Sequence, residues 1–228
     1  MSERHFDGDL KGLEKRLLAM GALCETMIQK SIRGLINRDP ALSQEVFKME
    51  EDANRFHIEI DDTAIKLIAL HQPMAGDLRF LAAAMKINND LERIADMAVN
   101  ASQTGYYHLF KEPPVPQIVM IQRMADVAQK MLRHSLEAYA TRNVDLAKRV
   151  LAEDAEEDRL KAQALTDLIG LIRTDPPRSE AFVELILLSK NMERIGDHAT
   201  NIAEDVVFMV VGKDIRHQAD AAVSSQGF

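Results

Sequence analysis

Apolar residues recur by threes and fours through most of the chain, which is the period of an amphipathic helix and not of a strand. Between about Asp9 and Asn37 the stepping residues are Leu10, Leu13, Leu17, Met20, Cys24, Met27, Ser31 and Leu35. Asp39-Pro40 marks the next start, with Asp as N-cap and Pro at the first helical position. That second helix runs to about His71, where Gln72-Pro73 stops it. A third begins at Gly76 or Asp77 and continues to about Tyr106. The prolines of Lys111-Glu112-Pro113-Pro114-Val115-Pro116 cannot continue a helix, so this segment is a linker. The plan then repeats, with a fourth helix from about Gln117 to Ala140, a fifth from Asn143 to near Asp175-Pro176-Pro177, and a sixth from Ser179 to near Gly212. At 1.5 Å per residue such helices are about 40–48 Å long. Long helices joined by short loops pack up-down-up. The expected fold is all-α: two tandem three-helix bundles related by internal pseudo-symmetry, residues 1–110 and 117–212, joined by linker 111–116 and followed by a frayed tail over 213–228.

The pseudo-symmetry is visible as a repeat. The stretch Leu91-Glu92-Arg93-Ile94-Ala95-Asp96-Met97-Ala98-Val99-Asn100 returns 101 positions later as Met192-Glu193-Arg194-Ile195-Gly196-Asp197-His198-Ala199-Thr200-Asn201. A period that long is a duplicated domain-sized unit and not a solenoid module. Each copy places Glu, Asp and Asn at i, i+4 and i+8, along one slowly drifting helical stripe. The small residues Ala95, Ala98, Gly196 and Ala199 suit close helix packing.

Charged residues interrupt the apolar seams. In the fifth helix Leu151, Leu165 and Ile172 fall on sevens and Asp158 takes the missing place, with Asp154 one turn earlier. Ala155, Ala162 and Ile169 fill the alternate positions, so Asp158 is expected to point inward or into a groove. In the second helix Phe47, Asn54, Asp61 and Ile68 are spaced alike, with Glu50 four before Asn54. Aligning the halves sets Glu50 against Asp154 and Asn54 against Asp158. In the third helix Leu91, Ile94, Ala98 and Ala101 form the main stripe, and Leu78, Met85, Glu92 and Val99 a second contact face. In the sixth, Phe182 and Ile186 precede Glu193 and Asp197.

Carboxylates along a packing seam are costly unless paired or bound to a cation. Arg93 and Arg194 cannot neutralise the seven acids Glu50, Glu92, Asp96, Asp154, Asp158, Glu193 and Asp197. If helices two and three, and five and six, face each other, each bundle offers two adjacent acidic stripes with oxygen donors for hard cations. The candidate ligands are therefore Glu50, Asn54, Glu92, Asp96, Asn100, Asp154, Asp158, Glu193, Asp197 and Asn201. A lone Glu-x-x-x-Asp is ordinary helix-surface chemistry; the duplication and the interrupted seams are what set these apart. His57, three residues after Asn54, is a better accessory candidate than His198.

Composition narrows the function. A net charge of −8 disfavours nucleic-acid binding, which needs a basic surface. The single Cys24 excludes a disulfide framework, fits a reducing cytoplasm and reads as a buried small hydrophobe. The methionines read as core filler. The N-terminal residues hold no apolar signal-peptide core, and runs such as Val206–Val211 are too short to span a bilayer, so a membrane connection is expected only through partners. No Gly-x-Gly-x-x-Gly, Walker loop, Gly-x-Ser-x-Gly or His-Glu-x-x-His is present. A di-iron oxidase of the ferritin-like type needs Glu-x-x-His on two helices, and no histidine here has Glu three residues before it. Helical periodicity alone does not separate a cation-binding module from a metal-free adaptor that grips basic patches on its partners.

The doubled Glu92-Arg93-Ile94-Ala95-Asp96 and Glu193-Arg194-Ile195-Gly196-Asp197 resemble the PhoU family of phosphate-specific transport system accessory proteins. The resemblance extends to His5-Phe6-Asp7 with Leu10, to Gln72-Pro73 before Asp77-Leu78-Arg79, and to the short segment after Gly212, about residues 4 to 217 in all. It implies two pseudo-symmetric three-helix bundles and no enzymatic activity. It implies surface metal clusters, often iron, or another multivalent ion such as Mg²⁺, Mn²⁺ or Zn²⁺, on Glu92/Asp96, Glu193/Asp197 and Asp154/Asp158. The fourth motif departs from the pattern, since Glu50 is followed by Asn54. It also implies a cytoplasmic homodimer acting as a negative regulator of phosphate uptake and starvation signalling. Its implied partners are the ATPase subunit of a phosphate ABC transporter and a sensor histidine kinase of the PhoR type.

Overall fold

A computed structural model describes residues 5–216, and the expected tail lies almost wholly outside them. Six long α-helices account for the fold: α1 (His5–Asn37), α2 (Pro40–His71), α3 (Gly76–Gln103), α4 (Ile118–Thr141), α5 (Val144–Thr174) and α6 (Ser179–Val211). Among the described residues there is no strand. The starts follow from local chemistry. Asp39 Oδ1 accepts from the amide of Ala41 at 2.9 Å, and Asn143 Oδ1 from that of Leu146 at 3.0 Å, each satisfying a donor that the first helical turn leaves open. Gly212, at φ +74°, ends α6 in the left-handed conformation that glycine adopts without strain.

The third helix does not stop near Tyr106 as its pattern suggests. Regular α geometry ends at Gln103, and a π-helical segment, Thr104–Leu109, carries the chain on. Gly105 sits there against α1, where an added Cβ would lie 3.0 Å from Leu35 Cδ1. The missing side chain lets the widened turn approach α1 closely. Arg38 then donates to the carbonyls of Phe110 and Glu112, the latter at 2.7 Å, tying the start of the proline segment to the end of α1.

Helices α1, α2 and α3 pack as one bundle and α4, α5 and α6 as the other. The bundles also lie side by side, because α3 packs on α6 and α1 on α4. At the second contact the backbones come close: a Cβ on Gly21 would stand 2.5 Å from Leu136 Cδ1. At the first, Lys86 Nζ reaches Asp205 Oδ1 at 3.0 Å, and Asp90 Oδ1 takes His198 Nδ1 at 2.8 Å and Asn201 Nδ2 at 3.2 Å.

The main stripe of α3 is buried as expected at Leu91, Ile94, Ala98 and Ala101, and so is Cys24, whose Sγ donates to the carbonyl of Leu91. The seams of α2 and α5 fall one residue away from their expected register. The buried sevens are Val46, Ala53, Ile60 and Leu67 in α2, and Val150, Glu157 and Ala164 in α5. Phe47, Ile68, Leu151 and Ile172 flank these seams half-buried, whereas Asn54 and Asp158 are exposed and Leu165 is 40 % exposed. In α5 each of the two neighbouring stripes holds one acid among apolar residues; in α2 the Phe47 stripe holds Asn54 and Asp61, and the wholly apolar Val46 stripe is the one that enters the core.

Candidate cation site

The register shift changes which acid faces inward. In the second bundle it is Glu157, and not Asp158. Glu157 is 1 % exposed, and neither carboxylate oxygen has a hydrogen-bond partner. Its chain lies against Gly196 of α6, where an added Cβ would be 3.4 Å from Glu157 Cγ and 3.6 Å from the thioether of Met131 on α4. Burial pushes the Glu157 carboxyl up to about 8, and the charges of Asp154, Glu193, Glu156 and Asp158 add to the rise.

The other acids of this bundle form the rim. Asp154 is half-buried, and its carboxyl is raised first by desolvation and then by Asp158 and Glu193. Asp197 is open to solvent on one side; desolvation of its other side raises its carboxyl, followed by Glu193 and Asp154. Glu193 is ion-paired to Lys161 of α5. That lysine, not Arg194, supplies the positive charge, because Arg194 is exposed. Desolvation is the largest cause of the rise at Asp154, Glu157 and Asp197, and the charge of Glu193 adds to all three.

The first bundle differs. Glu92 and Asp96 are half-buried on α3, and Arg93 bridges them at 3.3 Å and 3.2 Å. Glu50 is half-buried on α2 and Asn54 exposed. The inward position holds Ala53, 1 % exposed. Nearby, the buried Asn88 donates to the carbonyl of His57 and to Asp61 Oδ1, both at 2.9 Å, so His57 belongs to a polar cluster with Asn88 and Asp61. The last members of the repeated stripe, Asn100 and Asn201, do not join the acids as donors on a shared groove. Asn100 is exposed, and Asn201 reaches across to Asp90 of the other bundle.

Among the described residues no three His, Cys, Asp or Glu side chains converge tightly enough to close around a metal ion. Donor chemistry separates the bundles nonetheless. Asp154, Glu157, Glu193 and Asp197 offer only carboxylate oxygens, the set that hard multivalent cations take. One of them is buried with both oxygens unpartnered. As placed these carboxylates do not close around an ion; the second bundle carries the donor type that such an ion takes, with one carboxylate unpartnered. The first offers fewer such donors, with Ala53 at the inward position and Arg93 paired to Glu92 and Asp96.

Sequence reasoning missed Glu157 and Lys161. The signal for Glu157 was present: the offset of 104 that aligns Glu50 with Asp154 also aligns Ala53 with Glu157, and Ala53 belongs to the one α2 heptad that is apolar throughout. Lys161 had no comparable signal beyond its place one turn after Glu157.

Fold and site together define an internally duplicated all-helical protein with an acidic pair repeated on α3 and α6. The family model described as the PhoU domain matches residues 17–104 and 121–206, once in each bundle. A phosphate-specific transport system accessory protein PhoU homolog of Pseudomonas aeruginosa is 34 % identical over 94 % of this chain and 88 % of its own length. A homolog of the same name from Rhizobium meliloti is 35 % identical over 93 % of this chain and 91 % of its own. The crystal structure of PhoU from Pseudomonas aeruginosa superposes with a TM-score of 0.88 at 33 % identity, covering 91 % of this chain and all of that one. The phosphate transport system regulatory protein PhoU from Streptococcus pneumoniae shares the fold, with a TM-score of 0.83 at 23 % identity. The chain belongs to the PhoU family. Its relatives are named accessory and regulatory proteins, not enzymes.

Proposed function

We propose that this protein is a cytoplasmic negative regulator of phosphate uptake and phosphate-starvation signalling. It works by contact with the ATPase subunit of a phosphate ABC transporter and with a PhoR-type sensor histidine kinase, and it acts as a homodimer. The observation that supports this most directly is the match to accessory proteins of phosphate-specific transport over more than nine-tenths of the chain. Among the described residues no helix is long and apolar enough to cross a membrane, which suits a chain that reaches the bilayer through a partner. Deletion of the gene is expected to make alkaline phosphatase expression constitutive in phosphate-rich medium. Normal repression in the deletion strain would refute the regulatory role.

The same protein binds multivalent cations through the carboxylates of α5 and α6. The buried, unpartnered Glu157 is what favours this over a purely ion-paired surface. Bound, the ion would screen the charges of Asp154, Glu193 and Asp197 and tie α5 to α6; Lys161 now holds Glu193 in that role. For the first bundle a metal-free reading is favoured, because Arg93 spans Glu92 and Asp96 and leaves these acids to fix α3 or to meet a basic partner. Elemental analysis of the purified protein, with thermal shifts in Mg²⁺, Mn²⁺ and iron salts, tests the cation reading. No bound metal together with no shift defeats it.

A further inference from the structure

We propose that the groove between the first turns of α1 and the last turns of α2 receives an amphipathic helix of a partner protein, apolar on the face it buries and acidic where it passes Arg16 and Lys66. The inference rests on the reading that the protein works by contact with partners, and it gives one such contact a surface and a chemistry.

The groove encloses about 590 Å³. Its floor is the core itself, at Leu13 and Leu67, and Leu70, 77 % exposed, stands as its wall. Gly8 and Gly12 form the α1 side, one turn apart. The fold gives no reason for glycine at either place. A Cβ added to either would meet nothing within 4 Å, and neither has the positive φ that favours glycine. In a helix interior glycine costs stability relative to alanine. Gly21, by contrast, makes room for Leu136. What Gly8 and Gly12 provide is an open stretch of helix surface that a second helix can approach closely, the helix-in-groove mode of recognition.

Charge selects the occupant. The protein carries a net charge of −8, yet this groove holds the cations Arg16 and Lys66. Arg16 donates to Thr63 Oγ1 at 3.1 Å, and among the described residues neither it nor Lys66 is ion-paired. The acid of the lining, Asp9, faces His71 at 4.0 Å. Asp9 and Arg16 are about 10 Å apart along α1, so the groove is two turns long with its unpaired positive charge at one end. That polarity gives the partner helix a direction. Its apolar residues cover Leu13, Leu67 and Leu70, and its acidic residues meet Arg16 and Lys66.

The experiment titrates two labelled synthetic peptides with the full chain and reads fluorescence anisotropy. Each is an amphipathic helix of about 18 residues with leucines along one face. One carries glutamates at the edge of that face, the other lysines. Circular dichroism and thermal melting report the fold of each protein variant. The glutamate peptide is expected to bind, and the lysine peptide to bind at least about tenfold more weakly. Gly12→Leu is expected to keep or raise the Tm, because leucine suits a helix interior and meets nothing there, and to weaken the glutamate peptide by about tenfold or more. Arg16→Glu combined with Lys66→Glu is expected to reverse the preference between the peptides. No binding by the wild type, equal binding of the two peptides, or unchanged affinity in a folded Gly12→Leu overturns the proposal. Should Gly12→Leu not fold, Gly8→Leu, equally free of neighbours, carries the same test. Sedimentation of the wild type and Gly12→Leu checks the rival occupant: a dimer that Gly12→Leu dissociates would show a second copy in the groove and overturn the assignment to an acidic partner. Any of these failures leaves the regulatory role standing, since that role is read separately by gene deletion.

Discussion

The two bundles share length, connectivity and a repeated acidic pair, yet they treat one buried position in opposite ways. At the centre of the α2 seam stands Ala53, with Ala95 in the repeat on α3; at the centre of the α5 seam stands Glu157, with Gly196 on α6. The first arrangement follows ordinary packing, in which small residues let helices approach. The second places a carboxylate where the surroundings raise the free energy of its ionised form. The first bundle answers its rim acids with Arg93 from the same helix, while the second answers one of them with Lys161 from the neighbouring helix. Duplicated architecture therefore does not entail duplicated sites. A change on the seam places a buried carboxylate where the other bundle has only small apolar side chains.

The sharpest way to break this comparison is to move the carboxylate. Ala53→Glu places an acid in a seam with no glycine opposite, so it is both overpacked and unpartnered. It is expected to destabilise the protein by about 3–5 kcal/mol, seen as a loss in urea or thermal unfolding. A cost below about 1 kcal/mol would mean that the first bundle accommodates the acid as readily as the second, and the contrast would fail. The reverse change, Glu157→Leu, removes an unpaired buried carboxylate and is expected to stabilise the metal-free protein by about 1–4 kcal/mol.

A milder probe leaves the sequence alone and varies pH. Burial pushes the Glu157 carboxyl up to about 8 in the folded protein, from an ordinary value of 4.5. The native state thus keeps a proton that the unfolded chain releases, so stability is fully present below about pH 4.5 and is lost as pH rises toward 8. Asp154 and Asp197, also raised, act in the same direction at the acid end of that window. In chelator-treated protein the Tm is expected to fall across this range, and in Glu157→Gln the decline near pH 6–8 is expected to flatten. An unchanged slope in the variant would show that Glu157 does not titrate there.

These predictions turn on a residue that the hydrophobic pattern concealed. The helices themselves were legible, because Asp39-Pro40 and Asn143 write their caps into the sequence and the prolines of 113–116 interrupt it. The duplication was legible too, since Glu-Arg-Ile-x-Asp recurs at one offset. What did not show was the rotation of each helix about its own axis. Val46 and Phe47 both open heptads that close on an aliphatic residue, Leu67 and Ile68, and neighbouring stripes on a helix differ by only about 100°. Choosing the Phe47 stripe turned Asn54 and Asp158 inward and hid Glu157 inside a charged run. Cross-bundle contacts such as Asp90 with His198 and Asn201 were likewise invisible, because periodicity within a helix carries no information about a neighbour more than 100 positions away.

The smallest expected effect is the one that best separates two explanations for the contrast. Cation binding in the first bundle could be prevented by Arg93, which occupies Glu92 and Asp96, or by the missing inner carboxylate at Ala53. Arg93 is 61 % exposed, so its ion pairs are solvent-screened and Arg93→Ala is expected to change stability by no more than about 1 kcal/mol. If Arg93 were the obstacle, its removal would free Glu92 and Asp96 and add a tight equivalent to an Mn²⁺ titration of the full chain. If the inner donor is what matters, Glu92 and Asp96 remain rim acids open to water, where two carboxylates hold a hydrated ion only weakly. The number of tightly bound Mn²⁺ ions is therefore expected to stay the same in Arg93→Ala as in the wild type. A gain of one would show that the bundles differ in who neutralises the rim, and that the buried glutamate is not the deciding feature.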